Sequence, residues 1–500
     1  MLRHLIKLSG DSLTYGIGGA LARFTGLILL PLYANLFTTA EYGIFQTVTN
    51  LGALLLGIAV LGLDGATGML YFASDNPDER RQVCTLWIAI AVVVAGPLAV
   101  LLMLASDWLS VLSTGVSEHT RLFRLGVAAL PFTVLVFAFS NILRFLFRAR
   151  SYVALNLGVT VLVASLVVYL VGIARMGLEG ALWGTLIANA AIAGFGAWVV
   201  RGAVDLRFLA VTRSQTVTRT ARRMLHLGLP LVPASLALWV ISFSNTYFLV
   251  QMVSAAEAGV FRMGAQLASI LALGVWGFQL AWGPYSLAIA RDADAPRTYA
   301  RMAVLFTTGV VGVSVLMAAL APILLAFLAS PRYMSAAPVV GLLSLSAAAQ
   351  GLYSIAALGL NLAQRTGPIA WSTMAAALAS IILNIALIPT LGLLGASVAA
   401  LISNVILALL VYRAAQKVHP IPYEPVKIAA VWLTGLACTV IAGLFYATTE
   451  VPLWLSAVVA VGLGATFAGA ALALRAISFR ELSAARASIA GALARRYGSG

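Results

Sequence analysis

Residues 88–105 read Ile-Ala-Ile-Ala-Val-Val-Val-Ala-Gly-Pro-Leu-Ala-Val-Leu-Leu-Met-Leu-Ala and are apolar on every face of a helix. A stretch of this length matches a helix that crosses the roughly 30 Å hydrocarbon core of a bilayer. It is longer than a barrel strand and lacks the alternating polarity of one. Similar stretches fill the 500-residue chain, in which 62% of the residues are hydrophobic and 9% are charged. The composition therefore predicts an all-α integral membrane protein.

The apolar stretches predict about fourteen transmembrane helices and leave little sequence for a soluble domain. The predicted spans are residues 12–36, 42–71, 83–105, 122–147, 152–174, 178–200, 224–250, 258–288, 302–330, 336–360, 368–388, 393–412, 428–447 and 453–474. The first span is predicted to be a retained helix and not a signal peptide, because Arg23 interrupts it. Cys84, Cys438 and four scattered histidines show no metal-binding spacing, so neither a metal nor a cofactor is expected.

The Lys and Arg residues predict the orientation of the chain in the membrane. If the N-terminus is cytoplasmic, the inner loops and tails contain 25 of the 31 Lys and Arg residues and the outer loops contain four. The remaining two, Arg23 and Arg262, lie inside predicted spans. Cytoplasmic loops characteristically carry this excess, so both termini are predicted to be cytoplasmic. The formal charge of +15 is then explained by topology and anionic lipid headgroups, and no nucleic-acid partner is expected.

The sequence contains an internal repeat. Residues 38–46, Thr-Thr-Ala-Glu-Tyr-Gly-Ile-Phe-Gln, align with residues 254–262, Ser-Ala-Ala-Glu-Ala-Gly-Val-Phe-Arg, at an offset of 216. Residues 177–181, Gly-Leu-Glu-Gly-Ala, align with residues 392–396, Gly-Leu-Leu-Gly-Ala, at an offset of 215. These offsets map span 1 onto span 7 and span 6 onto span 12. Each repeat thus holds six helices, and the two copies enter the membrane in the same direction, as in transporters with parallel repeats.

The repeat predicts the domain organisation. Residues 1–200 form an N-terminal lobe of spans 1 to 6, and residues 224–413 form a C-terminal lobe of spans 7 to 12. A basic cytoplasmic linker, residues 201–223, joins the lobes. Residues 414–475 supply two C-terminal spans, and residues 476–500 form a basic amphipathic tail that is expected to lie on the inner leaflet.

Several of these segments resemble a known family. The run Leu29-Leu30-Pro31-Leu32-Tyr33, followed by residues 39–45, resembles the start of the oligosaccharide or O-antigen (Wzx-type) flippases. These form the polysaccharide transporter branch of the multidrug/oligosaccharidyl-lipid/polysaccharide (MOP) superfamily. Residues 228–233, 256–261 and 278–286 are similar to the second lobe of that family. One departure is Asn245-Thr246-Tyr247, where many members carry Asp-Arg-Tyr. A charge-dependent role of that pair is therefore not implied here.

The resemblance implies a function. It implies alternating-access transfer of a polyprenyl-pyrophosphate-linked oligosaccharide from the cytoplasmic to the outer leaflet of a bacterial plasma (inner) membrane, for the biosynthesis of cell-surface polysaccharide. The implied partners are this lipid-linked oligosaccharide, membrane lipids and polysaccharide polymerase or export machinery.

Charged residues inside the bilayer are costly and therefore mark candidate functional positions. Arg23 lies near the middle of span 1 and Asp64 lies within span 2, so the two are candidates for a structural ion pair. Alternatively, Arg23 faces a central cavity and binds pyrophosphate or an acidic sugar, a task suited to a guanidinium group. Asp64 has a second candidate role in coupling transport to an ion gradient.

Four more arginines are candidates for the same cationic cavity. Arg144 and Arg148 are four residues apart at the inner end of span 4, a spacing that predicts one helical face. They either anchor the topology or form the mouth of a cationic path. Arg262 either reaches the outer interface or lines the cavity, and Arg365 is either a topology anchor or a cavity residue.

Three prolines are candidates for helix kinks, and the chain lacks a phosphate-binding loop. Pro31, Pro230 and Pro233 are candidates for kinks in spans 1 and 7 that line the cavity, with plain packing kinks as the alternative. None of the three lysines precedes Ser or Thr, so no Gly-Lys-Ser/Thr phosphate loop exists and the chain is not expected to be an enzyme. Three other functions stay open: an ion-coupled drug or cation antiporter, a membrane polysaccharide polymerase, and a structural subunit of an export complex.

Overall fold

The computed structural model describes residues 29–204, 215–290, 292–363, 365, 367–448 and 452–476. The regular elements within these ranges are helical. Twelve helical segments in the described ranges are long and apolar enough to cross a membrane. The predicted all-α membrane fold is therefore confirmed.

Residues 29–36 are helical, and eighteen further α-helices follow them in the described ranges. The helices before residue 230 are α1 (Thr39–Ala59), α2 (Leu63–Ala73), α3 (Pro77–Leu104), α4 (Ser106–Thr114), α5 (Thr120–Ala128), α6 (Leu130–Phe145), α7 (Ala149–Val167), α8 (Gly177–Val200) and α9 (Gln215–Gly228). Those after it are α10 (Val232–Met252), α11 (Ala255–Ala288), α12 (Ala295–Ala319), α13 (Ala321–Leu328), α14 (Ala337–Ala356), α15 (Leu358–Leu362), α16 (Gly367–Val418), α17 (Pro425–Thr448) and α18 (Leu453–Ala473).

The long helix α16 contains two spans. Its 52 residues are interrupted at Gly392, whose backbone is not helical. A Cβ added to Gly395 would overlap the carbonyl oxygen of Leu387, eight residues earlier, so the chain folds back at this point. The reversal lies between the two spans predicted for this segment. With α16 counted twice, the described residues hold thirteen of the fourteen predicted spans, and most of the first span lies outside them.

Equivalent backbone conformations mark the repeat. Gly177 and Gly392, which the sequence aligns at an offset of 215, both have a positive φ, of 57° and 53°. Each lies at the start of the last helix of its repeat. At the other aligned segment, Thr38 and Glu41 form a reciprocal capping box at the start of α1. The Oγ atom of Ser254 accepts a hydrogen bond from the amide of Glu257 at the corresponding place in α11.

The described residues pack into two compact units. Unit 1 contains the described residues within Met1–Gln266, Leu328–Tyr333 and Thr373–Ala399, and unit 2 contains those within Leu267–Phe327, Met334–Ser372 and Ala400–Gly500. Unit 1 thus contains spans 2 and 7, which belong to different copies of the sequence repeat. The two packing units therefore do not coincide with the two copies of the sequence repeat. The lobe boundaries stay a prediction.

Spans 2 and 7 are both broken within unit 1. Span 2 changes direction between α1 and α2, where Leu61 and Gly62 have positive φ values of 53° and 65°. Span 7 changes from α9 to α10 through a 3₁₀ turn at Leu229–Leu231. The two breaks are in contact, because a Cβ on Gly228 would lie 2.5 Å from the carbonyl oxygen of Leu61.

Candidate functional site

The candidate site lies beside a close crossing of α1 and α11 in unit 1. A Cβ added to Gly43 would overlap the carbonyl oxygen of Ala255, and a Cβ added to Gly259 would overlap the carbonyl oxygen of Thr39. Gly43 and Gly259 are equivalent in the repeat, so each helix presents the same surface to the other. Only glycine permits this approach, which resembles the small-residue contacts of membrane helices. Both helices begin here, at the ends predicted to face outside.

One helical turn beyond the crossing, four side chains from three helices form what we call the Arg262 site: Tyr42, Gln46, Phe243 and Arg262. The Arg262 guanidinium carbon lies 5.6 Å from the centre of the Phe243 ring. Arg262 also interacts electrostatically with the phenol of Tyr42, and Tyr42 shares a side-chain hydrogen bond with Gln46. Gln46 and Arg262 are repeat equivalents, so the two copies contribute an amide and a cation to one site.

Arg262 lacks an anionic partner in the described part of unit 1. Its Nε atom is fully buried and has no hydrogen-bond partner among the described residues, while the residue as a whole retains some exposure. A buried cation without a carboxylate is costly, because the loss of hydration is not offset by pairing. The face of the Phe243 ring recovers only part of this cost. The site is therefore suited to an anionic ligand that can accept hydrogen bonds from a guanidinium group.

Further unsatisfied polar atoms lie on the neighbouring spans of unit 1. Asn245 and Thr246 are buried in α10, and the Oδ1 and Oγ1 atoms of these residues have no partner among the described residues. Asn384 donates a hydrogen bond of 3.2 Å to Ser244 through Nδ2, but its Oδ1 atom is also unpaired. Buried polar atoms of this kind are normally satisfied by protein, water or ligand. The segment Asn245-Thr246 is therefore part of a polar band inside the membrane span.

The structure describes only one of the two residues, Arg23 and Asp64, that the sequence suggested as an ion pair. Arg23 lies outside the described residues, and so does any contact it makes with Asp64. Asp64 is half-buried and is the second residue of α2, directly after the break at Leu61 and Gly62. A carboxylate at this position is favoured by the positive end of the helix dipole.

Arg144 and Arg148 do not share a helical face, so that expectation was wrong. Helix α6 ends at Phe145, and Phe147 has a positive φ of 54°, which turns the chain before Arg148. Both arginines are exposed. Arg144 donates a hydrogen bond of 3.3 Å to Oδ1 of Asn141, and Arg148 donates one of 3.5 Å to the carbonyl oxygen of Val199. The spacing of four residues was misleading because the helix ends between them.

The other candidates are dispersed. Arg365 is exposed between α15 and α16. Pro230 lies in the 3₁₀ turn that breaks span 7, and Pro233 lies in the first turn of α10. Pro31 lies in the helical residues 29–36, and its carbonyl oxygen accepts a hydrogen bond from Asn35. Of the candidate residues that are described, Arg262 alone has its guanidinium group over an aromatic ring.

Sequence reasoning missed Tyr42, Gln46 and Phe243. The repeat alignment placed Gln46 opposite Arg262, and that pairing was the available signal. An uncharged residue, however, does not by itself indicate a site when its partner lies more than two hundred positions away.

Unit 2 contains an apolar groove of about 510 Å³. It lies between α12, α14, α17 and the second span of α16. Its lining includes Leu352, Leu401, Val405, Ala408, Ile428 and Trp432. Because these helices are membrane spans, the groove offers hydrocarbon-like surroundings to a hydrocarbon ligand.

Comparison with solved structures identifies the fold. The fold is similar to that of the lipid II flippase MurJ in an inward closed conformation, with a TM-score of 0.64, 15% identity, and coverage of 91% of this chain and 97% of that one. It is also similar to a multidrug resistance MATE family transporter of the MOP superfamily in an inward-facing conformation, with a TM-score of 0.62, 16% identity, and coverage of 83% and 97%. At this identity, the likeness concerns the fold alone. The chain thus has the fold of these membrane transporters.

The family of the protein is shown by a match between its sequence and a family model. Residues 11–290 match the model of the family described as polysaccharide biosynthesis protein. This match covers more than half of the chain, so the protein belongs to that family. No curated protein matches the sequence. The polysaccharide family that the sequence resemblance predicted is thereby confirmed.

Proposed function

We propose that the protein is a flippase that moves a polyprenyl-pyrophosphate-linked oligosaccharide from the cytoplasmic to the outer leaflet of a bacterial inner membrane. It acts by alternating access, as a transporter and not as an enzyme, in the synthesis of a cell-surface polysaccharide such as O-antigen. The family match supports the polysaccharide context, and the fold supports transport.

The observation that carries the proposal is the guanidinium group of Arg262, which has no ion-pair or hydrogen-bond partner among the described residues. The headgroup of a lipid-linked oligosaccharide is a diphosphate diester, which is anionic and offers several acceptor oxygens. A guanidinium group binds two such oxygens at once through parallel N–H donors. Gln46 and Tyr42 add neutral polar groups that suit sugar hydroxyls. A cationic substrate would be repelled by the same site.

The apolar groove of unit 2 supports the lipid part of the substrate. A polyprenyl chain is a long, branched hydrocarbon, and the groove is lined by aliphatic and aromatic side chains of membrane spans. Burial of such a chain is favourable only in surroundings of this kind or in the lipid itself. We assign the groove to the prenyl chain.

The crossing at Gly43 and Gly259 supports alternating access. It brings together equivalent segments of the two sequence repeats at the ends predicted to face outside. Arg262 lies one turn further along α11, on the inner side of this contact. In a flippase cycle, the crossing closes the outer side while Arg262 receives the headgroup, and then it separates to release the headgroup outward.

The test is reconstitution of the purified chain into liposomes that carry a fluorescent polyprenyl-diphosphate oligosaccharide. Translocation is read from the loss of protection against a membrane-impermeant quencher. The expected result is faster translocation than in protein-free liposomes, with no acceleration for the corresponding neutral polyprenol. If the lipid does not move and a cationic drug is instead exchanged for protons, the chain is an antiporter and the proposal is wrong.

A further inference from the structure

Helix α9 carries a cationic stripe that the transport site described above does not include. Arg219, Arg222, Arg223 and His226 occupy positions i, i+3, i+4 and i+7, which lie on one face of a helix. All four residues are exposed. None forms an ion pair within the part of the chain that the structure describes.

The opposite face of α9 holds the helix in place. Val217 and Met224 are buried in the core of unit 1, where they join a cluster that includes Leu63, Leu70 and Trp87. Packing therefore fixes α9 against α2 and α3 without help from the arginines. Among the described residues, the stripe forms no ion pair or hydrogen bond that would explain it as part of the fold.

The three arginines of the stripe concentrate positive charge on one helical face at an energetic cost. The sequence of α9, Gln-Thr-Val-Thr-Arg-Thr-Ala-Arg-Arg-Met-Leu-His-Leu-Gly, contains no acidic residue. Like charges three and four residues apart on a helix destabilise it. An anion bound between them removes this repulsion. The stripe is about 10 Å long at 1.5 Å per residue, which is long enough to contact two linked phosphates.

The position of the stripe along span 7 indicates its depth in the membrane. Helix α10 has 21 residues and is roughly 31 Å long, enough to cross the hydrocarbon core by itself. Helix α9 precedes it, beyond the break at Leu229–Leu231, so the stripe lies at the level of lipid headgroups. The distribution of Lys and Arg predicts that this is the cytoplasmic side.

We propose that the stripe Arg219, Arg222, Arg223 and His226 is a docking site for the diphosphate headgroup of the lipid-linked substrate, used before the headgroup reaches Arg262. This inference rests on the proposed function. After the break at Leu229–Leu231, α9 is followed by α10, and Phe243 of α10 lies beneath the Arg262 guanidinium. The stripe and the Arg262 site therefore share one membrane span, which favours the lipid-linked substrate over bulk phospholipid as the ligand. Several guanidinium groups also match a diphosphate better than the single phosphate of a phospholipid.

The experiment compares binding and translocation of one probe, the fluorescent polyprenyl-diphosphate oligosaccharide named above, by the full chain in phosphatidylcholine nanodiscs and liposomes. The test variant is Arg222→Ala/Arg223→Ala. The matched control is Arg297→Ala/Arg413→Ala, which removes two exposed cations from the same predicted side of the membrane. A third variant, Arg222→Lys/Arg223→Lys, keeps the charge and shows whether the fold tolerates substitution at these positions.

The test variant is expected to bind the probe about tenfold more weakly or worse, in line with the loss of charge-assisted hydrogen bonds. The control is expected to bind as the wild type does, and the Lys variant to show an intermediate affinity. Equal weakening in the control, or equal displacement of the probe by phosphatidylglycerol, overturns the docking site in favour of general attraction to anionic lipid.

The two proposals fail in different ways. If the wild type translocates the probe and the Ala variant binds and translocates it equally well, the stripe is not a docking site and the flippase function stands. If the wild type neither binds nor translocates the probe, the flippase function itself is wrong.

Discussion

Gly43 and Gly259 pack against each other's helices in a reciprocal arrangement. The Cβ position of Gly43 is occupied by a carbonyl oxygen of α11, and that of Gly259 by a carbonyl oxygen of α1. The amide nitrogen of each glycine also lies 3.0 Å from the Cβ position of the other. This arrangement is isologous, because two equivalent surfaces meet about a local two-fold axis. The crossing therefore depends on both glycines equally.

The first prediction concerns this crossing. Gly43→Ala or Gly259→Ala forces α1 and α11 apart, because the added methyl group meets backbone atoms that cannot rotate away. Overpacking of this kind costs about 1–3 kcal/mol. Disulfide formation between cysteines placed at Thr39 and Ala255 measures the approach of the helices and is expected to fall sharply.

Gly52→Ala in α1 is the matched control, because a Cβ there has no neighbour within 4 Å. It is expected to leave cross-linking unchanged. If Gly43→Ala cross-links as efficiently as Gly52→Ala, the close approach of α1 and α11 is not the state of the protein in the membrane.

The second prediction concerns Arg262. Arg262→Ala removes the guanidinium group that we assign to the diphosphate, so translocation of the lipid-linked oligosaccharide is expected to fall at least about tenfold. Arg262→Lys keeps the charge but loses the planar pair of donors, and its rate is expected to lie between those of wild type and Arg262→Ala. The measurement is the initial rate in reconstituted liposomes.

Arg413→Ala controls for the loss of a positive charge, since Arg413 is exposed and lies outside unit 1. Its rate is expected to match that of the wild type. A wild-type rate for Arg262→Ala would show that the unpaired guanidinium group is not part of the transport path.

The third prediction concerns the groove of unit 2. Ala408 is buried and lines the groove, so Ala408→Phe fills part of it. This variant is expected to bind a long polyprenyl diphosphate more weakly while its affinity for farnesyl diphosphate, which has a short chain, is unchanged. Native mass spectrometry of the protein with each lipid gives the comparison.

Ala465→Phe in α18 is the control, because Ala465 is exposed and does not line the groove. Loss of both affinities in Ala408→Phe would indicate a damaged fold. An unchanged affinity for the long chain would remove the prenyl chain from this groove.

The fourth prediction concerns the turn before α8. Gly177 has a positive φ and no atom within 4 Å of its Cβ position, so substitution tests the backbone conformation alone. Gly177→Ala is expected to lower the free energy of unfolding by about 1–2 kcal/mol, the cost of the left-handed conformation for a residue with a side chain.

Gly194→Ala lies inside α8, where nothing meets the added methyl group. It is expected to stabilise the protein by about 0.5–1 kcal/mol, because alanine favours the helix interior. Unfolding in detergent measures both variants. If the two variants changed the free energy of unfolding equally and in the same direction, the left-handed backbone conformation assigned to Gly177 would be contradicted.

The membrane class, the approximate number of helices and the repeat could all be predicted from the amino-acid sequence. These properties depend on local composition and on similarity along the chain, and both are visible without coordinates. The sequence also identified Arg262 as a charge within a span. It could not choose between an interfacial and an internal position for it, because depth along a helix does not reveal which face the helix presents to its neighbours.

Tertiary structure decided the rest. Contact between Leu61 and Gly228, the crossing of Gly43 with Gly259, and the approach of Tyr42 to Arg262 join residues that are more than 160 positions apart. No period or composition encodes such pairs, because they depend on how helices pack. The end of α6 before Arg148 likewise separated two arginines that spacing alone had joined. The sequence thus specifies which segments enter the membrane, and packing specifies which of their charged side chains meet.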